Sequence, residues 1–518
     1  MIRLKISYAI ISAILLSLCY PPFNFNFIAF VAFIPLIIAL EDADYKTVFF
    51  ISLTFSTIFT AVLLNWIYIY HFIALPGLLI IMNIYSLAAL SLYSFISKRL
   101  YYLDIFLFPI IWTSVEYLKS IGNFGFPWGN ISYSQYNFLQ FIQISEIIGS
   151  FGVTFIICLI NSSLAFLILT HFKINRLIIQ AVVVIILFFV VLLYGFDKID
   201  KFRETPETTN LKIGVIQPNF SPYFFEWNEN KNTVVSYLTD AVSKLALENL
   251  DLLLLSETII LDNIFWFNNA LNKFEWHQDG FFWKYLFVNS ILKTKTDILF
   301  GVPTIRYRSD GKINYFNSAV LLNSSGEILG FYDKIHLVPF GEFVPFYEKF
   351  DFVKKIADSL QCGNFVRGDN YTLLQSEKFS IAPLICYESI FHNLTRYFAK
   401  SGADFFVNIT NDAWTNSTQA HYQHFYMNVF TAIQNRIPLV RCGNSGISGW
   451  INEIGELNNL SLPLTSTNYS FNMQLKKEFK NSFYTRYGDV FAQIIVILSG
   501  VLLFSSFFFS KKTPSFYY

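Results

Sequence analysis

The sequence predicts a multi-span α-helical membrane domain of about eight helices joined to an α/β sandwich domain. Three observations lead there. Of 518 residues, 54% are hydrophobic and only 14% charged, against roughly a quarter charged in soluble domains. Apolar stretches of about 20 residues, the length a bilayer core demands, crowd the first 197 residues and recur once near the end. Between them, from about residue 210, charges return and apolar runs shorten to strand length. A net charge of +1 gives no electrostatic reason to expect nucleic acid as a partner.

The apolar stretches lie at 6–21, 27–42, 47–70, 74–97, 104–121, 147–171, 176–196 and 489–510. They define an N-terminal transmembrane domain (1–197, seven helices), an intervening domain (198–488), and a C-terminal transmembrane helix with a cytoplasmic tail (489–518). Arg3 and Lys5, Lys46, Lys98 and Arg99, Lys173 and Arg176, and Lys511 and Lys512 alternate with connections nearly free of Lys and Arg. By the positive-inside rule both termini are cytoplasmic and 198–488 lies on the opposite side. A basic start and LLSLC ending at Cys19 look like a lipoprotein signal. Leu18 is too large for the residue before such a cleavage point and six more spans follow, so a retained helix is expected. In the long connection after span five, Trp128, Tyr133 and Tyr136 suit a headgroup-level aromatic belt. Glu116 is an ionisable group in an apolar helix, and such groups face the bundle interior or water.

In the intervening domain, strand-length runs occur at 212–218, 251–257, 297–304, 318–323, 379–386, 404–410 and 439–444. Helix-length stretches at 229–248, 281–294, 387–400 and 419–435 separate several of them. Buried strands alternating with amphipathic helices indicate layered α/β architecture. Such folds place chemistry at strand ends. Glu257 ends DLLLLSE, Lys334 lies in YDKIHLVPFGEFVP, and Cys386 ends APLIC before a helix expected near Tyr387. A free thiol is only a few per cent thiolate at neutral pH. It needs a base and a cation, and a helix N-terminus helps. Glu257 and Lys334 supply those types.

Five cysteines (Cys19, Cys158, Cys362, Cys386, Cys442) are too scattered for a disulfide framework. Cys362 and Cys442 are candidates to pair in an oxidising compartment. HYQH places His421 and His424 three apart, with no third metal ligand in view, so a structural pair is expected. Arg436 and Arg441 are candidates to order the loop behind the site.

With these residues assembled, the chain resembles the apolipoprotein N-acyltransferases, the membrane-embedded branch of the nitrilase superfamily. The likeness spans nearly the whole chain: CYPPFNF (19–25), LNWIY (64–68), FPW (126–128) with YSQ (133–135), GVIQPN (214–219) with Trp227, SE at Glu257, YDKIHLVPFGEFVP, ICYESI and NDAW (411–414). The resemblance implies a nitrilase-like αββα sandwich for the intervening domain. It implies Glu257 as general base, Lys334 as oxyanion-stabilising cation and Cys386 as acyl-accepting nucleophile. Glu342, Tyr387 and Glu388 match supporting residues around that trio, and Trp227 and Trp414 match aromatics near the pocket. After NDAW the family often continues with an aromatic and glycine, whereas Thr415 and Asn416 stand here.

The implied activity is transfer of a fatty acyl chain from a phospholipid, phosphatidylethanolamine being the usual donor, to the α-amine of a lipoprotein precursor's N-terminal diacylglyceryl-cysteine. No cofactor or metal is expected, and a monomer in the bacterial inner membrane with a periplasmic catalytic domain is. One rival is a membrane-tethered nitrilase-type amidohydrolase with water as acceptor. The other is a transporter, which predicts intramembrane charged pairs and matched helix breaks in two halves. Only Glu116 fits that pattern.

Overall fold

A computed structural model describes the chain except residues 1, 71, 73, 101, 102, 172, 174, 207, 208, 221–223, 263, 269–272, 292–294, 308, 309, 311, 345, 346, 348, 349, 352, 353, 356–362, 364, 477–481 and 510–518. The chain forms two compact units, residues 1–204 with 482–518, and residues 205–481.

The first unit is helical: α1 (Ile2–Ser17), α2 (Ile34–Leu40), α3 (Tyr45–Leu63), α4 (Ala74–Ser97), α5 (Asp104–Ser120), α6 (Ser145–Leu169), α7 (Asn175–Glu204) and a C-terminal helix Val490–Ser506. Four of these, α3, α4, α6 and α7, are long and apolar enough to cross a membrane, and Asn26–Leu40 and Val490–Ser506 are shorter apolar stretches. The expected span 27–42 is a 3₁₀ turn (Asn26–Phe30) followed by α2. Pro35 sits in the first turn of α2, where its fixed φ suits a helix start and its missing N–H costs nothing. The span expected over 47–70 stops at Leu63, and a separate turn covers Ile67–Tyr70. At its start Asp44 caps α3, accepting from Thr47 N at 2.8 Å. α7 runs past 196 to Glu204, and Asp197 and Lys201 pair on its exposed face across one helical turn at 2.7 Å.

α6 is the central helix of this unit, with 72% of its apolar window buried against 22% for α4 and α7. Trp128, Tyr133 and Tyr136 are buried among the helices, not set out in an exposed belt. The cause is polar. Glu116 on α5 accepts from Ile131 N at 2.9 Å, Thr154 Oγ1 at 2.8 Å and Trp112 Nε1 at 3.2 Å. Lys119 donates to Trp128 O at 3.0 Å. A buried carboxylate needs such donors, and satisfying it pulls the connection inward. Trp128 then lies stacked on Phe126 and tilted against Trp66.

Among the described residues the second unit has two sheets. The first contains β1 (Thr209–Gln217), β2 (Leu252–Leu255), β3 (Phe265–Asn268), β4 (Lys273–Trp276), β5 (Asp297–Tyr307), β6 (Ile313–Leu322), β7 (Ile328–Asp333) and β14 (Thr467–Leu475). Its order is β14-β1-β2-β5-β3-β4, with β6 and β7 continuing from β5. The second runs β13-β12-β11-β10-β9-β8, from Leu457–Asn458 (β13) through β12 (Gly449–Ile451), β11 (Leu439–Gly443), β10 (Phe405–Thr410) and β9 (Ser380–Ile385) to β8 (Leu374–Gln375). β1, β2 and the start of β5 pair in parallel, as do β9, β10 and β11. Fully buried strands of this kind read as continuous apolar runs, LLLL in β2 and SIAPLI in β9.

The inner faces meet: Cys442 lies between the sheets, its sulfur 3.5 Å from both Ile216 O and Leu254 O. It is a free thiol, and Cys362 lies outside the described residues. Helices α8 (Phe224–Ala246) and α9 (Phe281–Ile291) cover the outer face of the first sheet through Leu238, Val242, Trp283 and Phe287. α10 (His392–Lys400) and α11 (Thr418–Asn435) pack on the second. The result is an αββα sandwich.

Candidate active site

Glu257, Lys334 and Cys386 each follow the last residues of a strand: β2, β7 and β9. Apolar strands drive the backbone to the same end of the sandwich, and the first polar residues beyond them meet there. Lys334 Nζ lies 3.1 Å from Glu257 Oε1 and 2.7 Å from Glu342 Oε1. Asn317 Nδ2 donates to the same two oxygens, at 2.7 and 2.9 Å. Glu257 Oε2 accepts from Asn411 N at 2.9 Å, and Glu342 Oε2 from Val338 N at 2.8 Å. Two carboxylates therefore share one ammonium and one amide, and the Lys334 side chain is only 1% exposed.

Burial sets the electrostatics. It raises the Glu257 carboxyl above its ordinary value, against the pull of Lys334. Burial works to lower the Lys334 pKa, but Glu257 and Glu342 more than reverse it, and the ammonium stays charged well above its ordinary range. The Cys386 thiol is pushed up by burial and then by the Glu257 charge, with Lys334 opposing. The resting sulfur is thus a neutral thiol with a carboxylate and an ammonium within electrostatic reach. Such a set can remove the thiol proton as the sulfur attacks and then steady a developing oxyanion.

Cys386 has φ +53°, in the left-handed region. A non-glycine residue there costs about 1–3 kcal/mol and persists only where its surroundings hold it. Its carbonyl accepts from Asn408 Nδ2 at 3.0 Å and Ser389 Oγ at 3.2 Å. The helix expected from Tyr387 starts at His392. Residues Cys386–Ile390 form a 3₁₀ turn, so the sulfur sits at a tight elbow one turn short of a helix N-terminus.

Glu388 is buried in that turn. Oε1 accepts from Ile335 N at 2.7 Å, Tyr332 Oη at 2.8 Å and His336 N at 2.9 Å, and Oε2 from Ile385 N at 2.8 Å. One carboxylate thereby ties the segment after Lys334 to the end of β9. Tyr387 is buried, edge-on to Phe391 at 4.7 Å. Trp414 is 44% exposed. The Trp227 side chain lies outside the described residues.

His424 Nδ1 meets Asp412 Oδ1 and Arg441 Nη2, each at 2.9 Å, and His421 Nε2 meets Asp412 O at 2.9 Å and Thr415 Oγ1 at 3.2 Å, so both histidines of HYQH pack around Asp412. Arg441 donates to Asp412 Oδ2 at 2.6 Å and Asn408 Oδ1 at 2.8 Å. Arg436 donates to Glu453 O at 2.9 Å, farther along the chain. Sequence reasoning missed Asn317, Asn408, Asn411 and Asp412. NDAW was the one signal within it that touched two of them.

Two sequence families match the chain: the apolipoprotein N-acyltransferase N-terminal domain over residues 12–163, and the carbon-nitrogen hydrolases over residues 212–478. Apolipoprotein N-acyltransferase of Geobacter metallireducens is 32% identical, covering 98% of this chain and 95% of its own length. The chain belongs to the apolipoprotein N-acyltransferase family. It is an acyltransferase with a nitrilase-like α/β domain. Apolipoprotein N-acyltransferase 1 of Treponema denticola is 28% identical over 96% of this chain and 95% of its own. The Borreliella burgdorferi family member is 28% identical over 92% and 90%.

Proposed function

We propose that this family member transfers a fatty acyl chain from a phospholipid, phosphatidylethanolamine first among candidates, to the α-amine of an N-terminal diacylglyceryl-cysteine, through a thioester on Cys386. The observation that carries this reading is the buried cluster of Glu257, Lys334 and Glu342 at the strand ends, next to the elbow of Cys386. Glu257 takes the Cys386 proton while the sulfur attacks the ester carbonyl. Lys334 and a backbone N–H near Tyr387 stabilise the tetrahedral oxyanion, a contribution of about 3–4 kcal/mol per donor in comparable sites. Protonated Glu257 returns the proton to the departing alkoxide. In the second half it deprotonates the incoming ammonium, and the amine displaces the sulfur. Glu342 holds Lys334, Glu388 and Tyr387 fix the turn, and the family resemblance assigns Trp227 and Trp414 to the substrate pocket.

In this reading about eight helices cross the inner membrane, both termini are cytoplasmic, and the α/β unit is periplasmic. The enzyme works as a monomer without metal or cofactor. Lipid substrates give the membrane helices their purpose, because drawing an acyl chain into water costs about 0.8 kcal/mol per CH₂.

The test is mass spectrometry of protein reconstituted with phosphatidylethanolamine, before and after addition of a diacylated lipopeptide. The expected result is an intact mass raised by one acyl group, lost on hydroxylamine treatment and absent in Cys386→Ala. Addition of lipopeptide then yields N-acylated peptide. Free fatty acid with no acylated peptide would make water the acceptor and overturn the transferase reading.

A further inference from the structure

β9 and β10 pair in parallel from Ile381–Phe405 to Ile385–Ile409. The next residues on the two strands are Cys386 and Thr410, which places the Thr410 hydroxyl beside the sulfur, where it can donate to a thiolate. Thr410 is fully buried and donates its one proton to Asp412 Oδ1 at 2.9 Å. A hydroxyl has a single proton, so while Thr410 donates to Asp412 it cannot donate to the sulfur. Asp412 is secured without it. Its Oδ1 also meets His424 Nδ1 at 2.9 Å, and its Oδ2 accepts from Arg441 Nη2 at 2.6 Å. The same Arg441 holds Asn408, whose amide holds the Cys386 carbonyl. One buried cluster therefore reaches both the backbone and the sulfur of the elbow, and its carboxylate can release the Thr410 proton while keeping the Arg441 guanidinium as donor.

We propose that Thr410 is a catalytic hydrogen-bond donor to the Cys386 sulfur, parked on Asp412 until the thiolate forms. This rests on Cys386 being the nucleophile. As Glu257 takes the thiol proton, the Thr410 hydroxyl swings from Asp412 to the sulfur, and no atom leaves Thr410. The same donor steadies the sulfur when it departs from the thioester in the second half. The device answers a need specific to this site, since Lys334 is already shared by two carboxylates.

The experiment compares Thr410→Val and Thr410→Ser in phosphatidylethanolamine vesicles. Iodoacetamide labelling of Cys386 is followed against pH by peptide mass spectrometry, alongside acyl-enzyme formation. Valine is expected to move the labelling midpoint up by about one pH unit and to slow acylation about tenfold or more. Serine is expected to keep the midpoint within about half a pH unit and the acylation rate within about threefold. Thr410→Ala, which adds no atoms, gives the same reading if valine disturbs packing. A wild-type thioester with labelling and acylation unchanged in Thr410→Val and Thr410→Ala overturns the donor role alone. No thioester on wild-type Cys386 overturns the nucleophile assignment beneath it.

Discussion

Lys334 meets two carboxylates within hydrogen-bond reach and almost no solvent. Removing its charge leaves Glu257 and Glu342 buried without a counter-ion, a loss worth about 3–5 kcal/mol where buried pairs are broken. Lys334→Met should therefore lower the unfolding temperature as well as abolish acyl-enzyme formation. Lys334→Met combined with Glu342→Gln should regain much of the stability and none of the activity, which separates the structural part from the chemical one. Calorimetry and intact-mass measurement check the two halves. The pH dependence follows from the same cluster. Burial raises Glu257, and a protonated Glu257 cannot accept the thiol proton. Activity should fall as pH drops, with its acid limb above the ordinary carboxylate range. Lys334, held charged well above its ordinary value, should contribute no alkaline limb below about pH 10. A pH series of single-turnover acylation reads this, and an acid limb at an ordinary glutamate value would contradict it.

At the scale of elements, β5 comes close beneath the base. A Cβ on Gly301 would lie 2.6 Å from Glu257 Cα and 2.9 Å from Thr258 N, both backbone atoms. Gly301→Ala must therefore push the end of β2 aside, and an ångström of misplacement at a reacting group costs about 100-fold. The expected outcome is a fall of that order in acylation rate with the protein still folded by circular dichroism. The same geometry explains what the sequence allowed one to read. β2, β9, β10 and β11 are buried on both faces, and their apolar runs locate them to within a residue or two. β3 and β4 escaped because each is only four residues long, FWFN ending in asparagine and KFEW mixing aromatics with charge on the rim of the sheet. β7 escaped because Gly330 interrupts ILGFYD. The partners of the base were illegible for another reason. Asn317, Lys334 and Asn411 lie 60, 77 and 154 residues from Glu257 in the chain. Only the stacking of strands makes them neighbours, so the chemistry of Glu257 could be named and its hydrogen bonds could not.

For the whole molecule the open quantity is which side of the bilayer each part of the chain occupies. α1 and α5, at 16 and 17 residues, rise only about 25 Å at 1.5 Å per residue. A bilayer core is about 30 Å thick, so crossing at those points relies on flanking residues or local thinning. The charge asymmetry of the short connections is then the main argument for orientation. Lys173, exposed between α6 and α7, and Leu247, exposed just after α8, sit on opposite sides in the proposed topology. A cysteine at each position turns that into a measurement. In spheroplasts, a membrane-impermeant maleimide should label Leu247→Cys at once and Lys173→Cys only after permeabilisation. The reverse pattern would put Cys386 on the side where no lipoprotein precursor presents its modified cysteine, and would remove the acceptor from the proposed reaction. Labelling of both before permeabilisation would mean that α7 does not cross, which its 30 residues and mean hydropathy of 3.2 over the apolar window argue against.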